Sequence, residues 1–274
     1  MQIKLASSCG FCFGVKRAIR LAEGAPNSIV IGELIHNRRE IERLEKNFGV
    51  RLTNNIDEIG KSDAAIIRTH GVEKEAKAKL LATAGAIIDA TCPYVTKPQK
   101  IAEAMSAEGY QVVIFGDRTH PEVKGVLSYA DKNAAVAANP AELEDIALAD
   151  RVALISQTTK SIASFNEVAV ALIAQTKELR VFNTICNATY DNQEATRELA
   201  KEVDIMVIIG GKNSSNTKQL YAIAAELCAD SFLVEDAVEL RREWFKNKSL
   251  CGVSAGASTP DWIIEEALKT IEAF

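Results

Sequence analysis

Residues 111–122, QVVIFGDRTHPE, decide how the chain reads: a β-branched apolar run ends at Gly116, and His120, Pro121 and Glu122 follow at once. The run has the composition of a strand, and Glu122 falls in what reads as the first turn of a helix. The same layout recurs on both sides. His36 follows SIVIGEL, His70 follows AAIIRT, Cys92 follows AIIDA, Gln157 and Thr158 follow RVALIS, and Cys186 follows RVFNT. The NSSN run follows DIMVIIG, and Ser258 follows LCGVSA, while QIKLA and SFLVE complete the set of strand candidates. Between them lie RREIERLEKNF, EKEAKAKLLATAG, FNEVAVALIAQTKEL, QEATRELAKEV and SNTKQLYAIAAELC, with apolar residues three and four apart. Strand and helix alternating in this way predict an α/β fold with mostly parallel sheets. In such sheets ligands bind at the carboxyl ends of the strands, where the unusual residues gather.

Composition narrows the function. The chain has 274 residues, 47% of them hydrophobic, with a formal net charge of −5. That suits a soluble globular protein of two or three domains. Lys and Arg are interspersed with Asp and Glu, so the basic stripe of a nucleic-acid binder is missing. No apolar run approaches the ~20 residues of a membrane span, and MQIKLASSCG is a poor secretory leader, so the expectation is a cytoplasmic protein without membrane attachment.

Six cysteines without a leader favour ligation, redox chemistry or burial over disulfides. Cys12 in GFCFGV, Cys92 in DATCP and Cys186 in TICNAT each precede a helical segment, which suggests three similar α/β units. The units are expected at 13–92, 93–182 and 183–274, with the N-terminal strand 1–12 joining the third. A single cysteine in such a run is more often an inert core residue, but three at equivalent strand ends favour an iron–sulfur cluster with one iron left open for substrate. Cys228 and Cys251 sit in apolar stripes and read as core. Cys9-Gly-Phe-Cys12 offers the rival, a thiol–disulfide site. Against it, the motif accounts for none of the other strand-end residues, and the segment before it is short for a sheet lead-in.

The three histidines, His36, His70 and His120, all lie on the ligand-binding edge, where imidazole can donate to phosphate oxygens. Ser214, Ser215 and Asn216 follow a Gly-Gly turn at a helix start, and Ser258 and Thr259 precede Pro260 in the same manner. Each alone is a good N-cap; together with the histidines they point to a diphosphate site. Glu122 is the carboxylate beside them, a proton donor if burial raises its pKa, and Thr158 could relay that proton.

The motifs GFCFGV, IHN, THGV, DATCP, THPEV, QTT, CNAT, KNSSNT and AGASTP, in this order over essentially the whole chain, resemble the LytB family, the 4-hydroxy-3-methylbut-2-enyl diphosphate reductases of the methylerythritol phosphate route. The resemblance implies three α/β domains in a pseudo-threefold trefoil around one [4Fe–4S] cluster on Cys12, Cys92 and Cys186. It implies that His36, His70, His120, Thr158, Ser214, Ser215, Asn216 and Ser258 bind an allylic diphosphate, and that Glu122, with Thr158 and His120, serves the chemistry. Two-electron reductive dehydroxylation would yield isopentenyl and dimethylallyl diphosphates, with a ferredoxin or flavodoxin as electron donor. One departure stands out: after CNAT, Asn192 occupies a place where the family pattern predicts Arg.

Overall fold

The structure is a computed structural model that describes residues 1–274. The strands and helices, in chain order, are β1 (Gln2–Leu5), α1 (Phe13–Glu23), β2 (Ile29–Ile31), α2 (Arg38–Phe48), β3 (Arg51–Thr53), β4 (Ala64–Ile67), α3 (Lys74–Thr83) and β5 (Ala86–Asp89). Next come α4 (Pro93–Ala107), β6 (Gln111–Phe115), α5 (Pro121–Leu127), β7 (Ala135–Ala137), β8 (Arg151–Ser156), α6 (Ile162–Ile173) and β9 (Glu178–Phe182). The last are α7 (Asn187–Ala200), β10 (Ile205–Ile209), α8 (Ser215–Leu227), β11 (Ser231–Val234), β12 (Leu250–Ala255) and α9 (Asp261–Glu272).

These strands form three four-stranded sheets, ordered β3-β2-β4-β5, β7-β6-β8-β9 and β11-β10-β12-β1, and every pair within them is parallel. The three orders are one pattern, with the third sheet taking its edge strand from the N-terminus of the chain. Two compact units result. One comprises Met1–Lys16, His36–Glu42 and Asn187–Phe274 and holds the third sheet; the other comprises Arg17–Ile35 and Arg43–Cys186 and holds the first two.

Helices cover both faces of the central strands, which is why those strands are apolar without interruption. In β6, Val112 and Ile114 enter one core while Val113 and Phe115 enter the other. In β10, Ile205, Val207 and Ile209 pack toward α9, whereas Met206 and Ile208 pack with Leu199 of α7 and Leu220 of α8. The alternation is the two-residue period of a strand read on two buried faces.

The structure revises several sequence boundaries. SIVIGEL contributes only Ile29–Ile31, and the strand placed in RVFNT lies earlier, at Glu178–Phe182. FNEVAVALIAQTKEL is helical only to Ile173, and that helix begins earlier, at Ile162, where the Ser161 hydroxyl accepts from the Ser164 amide. The amides of Lys177 and Glu178 donate to the Asp150 carbonyl, so pairing with β8 takes the next residues into the sheet against their helical pattern. α7 starts at Asn187, well before the QEATRELAKEV segment and immediately after Cys186. Two strands, β3 (RLT) and β7 (AVA), had no sequence signal, because neither has the run of large β-branched residues that marks the equally short β2.

Candidate active site

In the first two sheets the crossovers run to opposite sides of a switch point, between β2 and β4 and between β6 and β8; the third has the same central pair, β10 and β12, with β1 at its outer edge. Loops splay apart there, leaving a crevice at the strand ends. The loops after β6 and β8 carry His120 and Thr158, with Glu122 in the first turn of α5; the loops after β10 and β12 carry Ser214 and Ser258, with Ser215 and Asn216 opening α8; and the loop after β4 carries His70.

The cysteines follow the edge strands instead: Cys92 after β5, Cys186 after β9 and Cys12 after β1. A helix starts directly after each of the three. Each backbone amide is tied to the loop of the neighbouring strand, Cys12 N–H to the Ala257 carbonyl at 3.2 Å, Cys92 N–H to Thr69 at 3.0 Å and Cys186 N–H to Thr158 at 3.0 Å. One backbone hydrogen bond, made three times, thus fixes the main chain of each cysteine against the loop that carries Ser258, His70 or Thr158. All three cysteines are half-buried and none is in a disulfide.

In the larger unit, Thr158 meets Glu122 across the β6/β8 switch point. Its amide donates to Oε1 at 2.7 Å and its hydroxyl to Oε2 at 2.7 Å. Glu122 is 1% exposed. Burial pushes its carboxyl up to about 6, against the opposing pull of the two Thr158 hydrogen bonds. A carboxyl raised this far keeps its protonated form within reach near neutral pH, which suits a donor that must also be re-protonated. His120 caps α5, its Nδ1 accepting from the Glu122 amide at 3.2 Å, which leaves the proton of the neutral ring on Nε2. The His70 and His120 rings stand edge to face with centroids 5.4 Å apart.

In the smaller unit, Ser214 caps α8, its hydroxyl accepting from the Thr217 amide at 3.3 Å, so one oxygen of the predicted cradle serves the helix itself. Asn216 is 4% exposed, and neither its Oδ1 nor its Nδ2 has a partner. A buried amide left unpaired at both ends is costly, and it is what a polar ligand site looks like without its ligand. Gly211 permits the loop to lie against His36: a Cβ there would come 2.5 Å from the His36 carbonyl oxygen.

The remaining cysteines are Cys9, Cys228 and Cys251. Burial pushes the Cys251 thiol up to about 12 and also raises Cys9, with the Asp261 carboxylate adding to the rise. Cys228 is buried at the end of α8. A thiol–disulfide site needs a lowered thiol pKa, so Cys9 is a poor nucleophile. The short lead-in to Cys9 was no argument against that reading, because β1 is a full edge strand paired with β12. Its acidity is the argument.

Two contributors escaped the sequence reading. Arg17, one turn into α1, donates to the Asp89 and Thr91 carbonyls and so braces the segment leading to Cys92. Ser8 donates to Oδ1 of Asn192 at 2.6 Å, linking the loop before Cys12 to α7, while Nδ2 of the buried Asn192 has no partner. A cation one turn beyond a cysteine could have signalled Arg17; nothing local marks Ser8.

Parallel sheets with a buried acid and half-buried thiols at their strand ends define the class, an α/β enzyme whose chemistry sits at the sheet edge. The chain belongs to the LytB family: the family model described as LytB protein matches residues 3–272. Membership carries iron–sulfur reductase chemistry with it. Among similar proteins, a 4-hydroxy-3-methylbut-2-enyl diphosphate reductase of Wolinella succinogenes is 57% identical over 274 residues, 100% of this chain and 99% of its own. One of Campylobacter concisus is 59% identical over 272 residues, 99% of each chain. A solved structure of (E)-4-hydroxy-3-methyl-but-2-enyl diphosphate reductase, described as the terminal enzyme of the non-mevalonate pathway, is 41% identical with a TM-score of 0.72, covering 100% of this chain and 99% of that one. A reductase structure from Plasmodium falciparum has a TM-score of 0.90 over 99% of this chain and 87% of its own; at 24% identity it speaks to the fold.

Proposed function

We propose that the chain converts 4-hydroxy-3-methylbut-2-enyl diphosphate to isopentenyl and dimethylallyl diphosphates, consuming two electrons and two protons and releasing the allylic hydroxyl as water. Family membership and the full-length relatives support the activity. The observation that carries the site is the thrice-made hydrogen bond that sets Cys12, Cys92 and Cys186 at equivalent strand ends.

These cysteines suit a [4Fe–4S] cluster. They are half-buried, outside any disulfide, and each stands directly before a helix. When bound, such a cluster, one per chain, supplies electrons and, through the iron left without a protein ligand, a Lewis acid.

The chain's own residues supply orientation and protons. His36, His70, His120, Ser214, Ser215, Asn216 and Ser258 bind the substrate, chiefly its diphosphate; Asn216 has both amide atoms to give, and His120 has an Nε2 proton. Glu122 holds the proton that leaves with the hydroxyl, and Thr158, bonded to it through amide and hydroxyl, fixes the carboxyl and contacts the substrate oxygen. We read 13–92, 93–182 and 183–274 with 1–12 as the three domains, one per sheet. The setting is the cytoplasm, where thiols stay reduced for ligation. No helix is long and apolar enough to cross a membrane.

The test is anaerobic turnover with dithionite-reduced methyl viologen. Cys186→Ser should lose iron and activity together, while Cys9→Ser keeps both. The opposite pattern, or colourless zinc-loaded protein without turnover, would overturn the reading.

A further inference from the structure

A groove of about 660 Å³ opens between α4 and the end of β9. Apolar side chains form most of its wall, among them Ile101, Ala104, Met105 and Phe182, and the only charged residues lining it are Lys97 and Lys100. One end is made by Thr91 and Pro93, the residues on either side of Cys92, and Phe182 lies four residues before Cys186. The groove therefore runs from the surface to the segments that carry two of the three cysteines.

Its lysines differ from their neighbours. On α3, Lys74 pairs with Glu103 and Lys77 with Asp89, and on β9 Arg180 pairs with Glu108 and Glu178. Lys97 and Lys100 are exposed, one turn apart on α4, and neither is in an ion pair. Two unpaired cations over an apolar wall are the pattern of a transient redox interface, where charge steers encounter and a small apolar patch completes contact. The chain as a whole carries −5, so the long-range field does not draw in an acidic partner and local cations must do so.

We propose that this groove is the docking surface of a small acidic electron-carrier protein, which delivers its electrons one at a time beside Cys92. The inference rests on the reductase reading: each turnover oxidises two reduced carriers by one electron each, and those two electrons with two protons expel the hydroxyl as water.

The test uses the holoenzyme and an acidic ferredoxin as probe. Lys97→Glu with Lys100→Glu should weaken ferredoxin affinity, measured by calorimetry, at least tenfold and flatten its salt dependence. Ferredoxin-driven kcat/KM should fall in step, and viologen-driven turnover should stay unchanged. Ala104→Glu, which puts charge into the apolar wall, should weaken binding as well. The charge-matched control Lys46→Glu with Lys132→Glu should leave affinity within twofold. Equal losses in variant and control, or ferredoxin binding that ignores both groove variants, would overturn the proposal. If wild-type protein fails to turn over with viologen, the reductase reading falls, and the calorimetric comparison still decides whether the groove binds the carrier.

Discussion

Thr158 gives both its amide and its hydroxyl to Glu122, one to each carboxylate oxygen, at 2.7 Å apiece. Those bonds hold the carboxyl in one orientation while burial raises its pKa to about 6. Glu122→Gln keeps the shape and both polar ends but removes the proton. We expect kcat to fall by about 10²–10⁴-fold, the range for a lost general acid, with iron content unchanged. Stability gives a second readout. The folded carboxyl binds its proton more tightly than the unfolded one, so wild-type stability falls as pH rises from about 4.5 to about 6, by about 2 kcal/mol. Denaturant melts at pH 4.5 and pH 7.5 should show that loss in wild type and not in Glu122→Gln.

Removing only the Thr158 hydroxyl moves the same pKa. That bond stabilises the charged carboxylate, so Thr158→Val should raise the Glu122 pKa further and carry the alkaline limb of the rate profile to higher pH. Thr158→Ser, which restores the donor, should bring the limb back. A profile that stays put in Thr158→Val would dissociate the bond from the acidity.

The pattern of residues needed here was legible before any coordinates. Strand runs with abrupt polar endings placed His70, Cys92, Glu122, Thr158 and Cys186 at strand ends, because strands covered on both faces leave no room for polar groups except at their tips. Neither the sheet order nor the borrowing of β1 by the third sheet was legible, since pairing of distant strands leaves no local trace. Cys9 shows the limit most clearly. In sequence it equals Cys12; in the fold, burial and Asp261 keep it protonated.

The cysteines should divide accordingly. Serine at position 12, 92 or 186 should cost iron and the visible absorption of the reconstituted protein. Cys228→Ala and Cys251→Ala, both in core positions, should keep iron and lower stability by about 1 kcal/mol or more. Iron-to-protein ratios after anaerobic reconstitution check both halves.

Asn192, where the resemblance leads us to expect Arg, is engaged. Its Oδ1 accepts a hydrogen bond from the Ser8 hydroxyl, tying α7 to the loop before Cys12. A double-mutant cycle of Ser8→Ala and Asn192→Ala should give a coupling of about 1 kcal/mol in unfolding free energy. Zero coupling would mean that the link does not hold the loop.

Asn216 is the sharpest case, because its expected effects in the free and bound states differ in size. Both amide atoms are buried and unpaired, so the free protein gains little from them, and the cost of the cavity in Asn216→Ala is offset by removal of an unsatisfied group. The variant should melt within about 1 kcal/mol of wild type without ligand. Bound diphosphate stabilises a folded protein in proportion to its affinity, so the upward shift in Tm on adding inorganic diphosphate should shrink sharply in the variant. KM for the allylic diphosphate should rise at least tenfold, the cost of one good hydrogen bond to a charged group. An undiminished Tm shift would remove Asn216 from the diphosphate site and leave its unpaired amide as a purely structural expense.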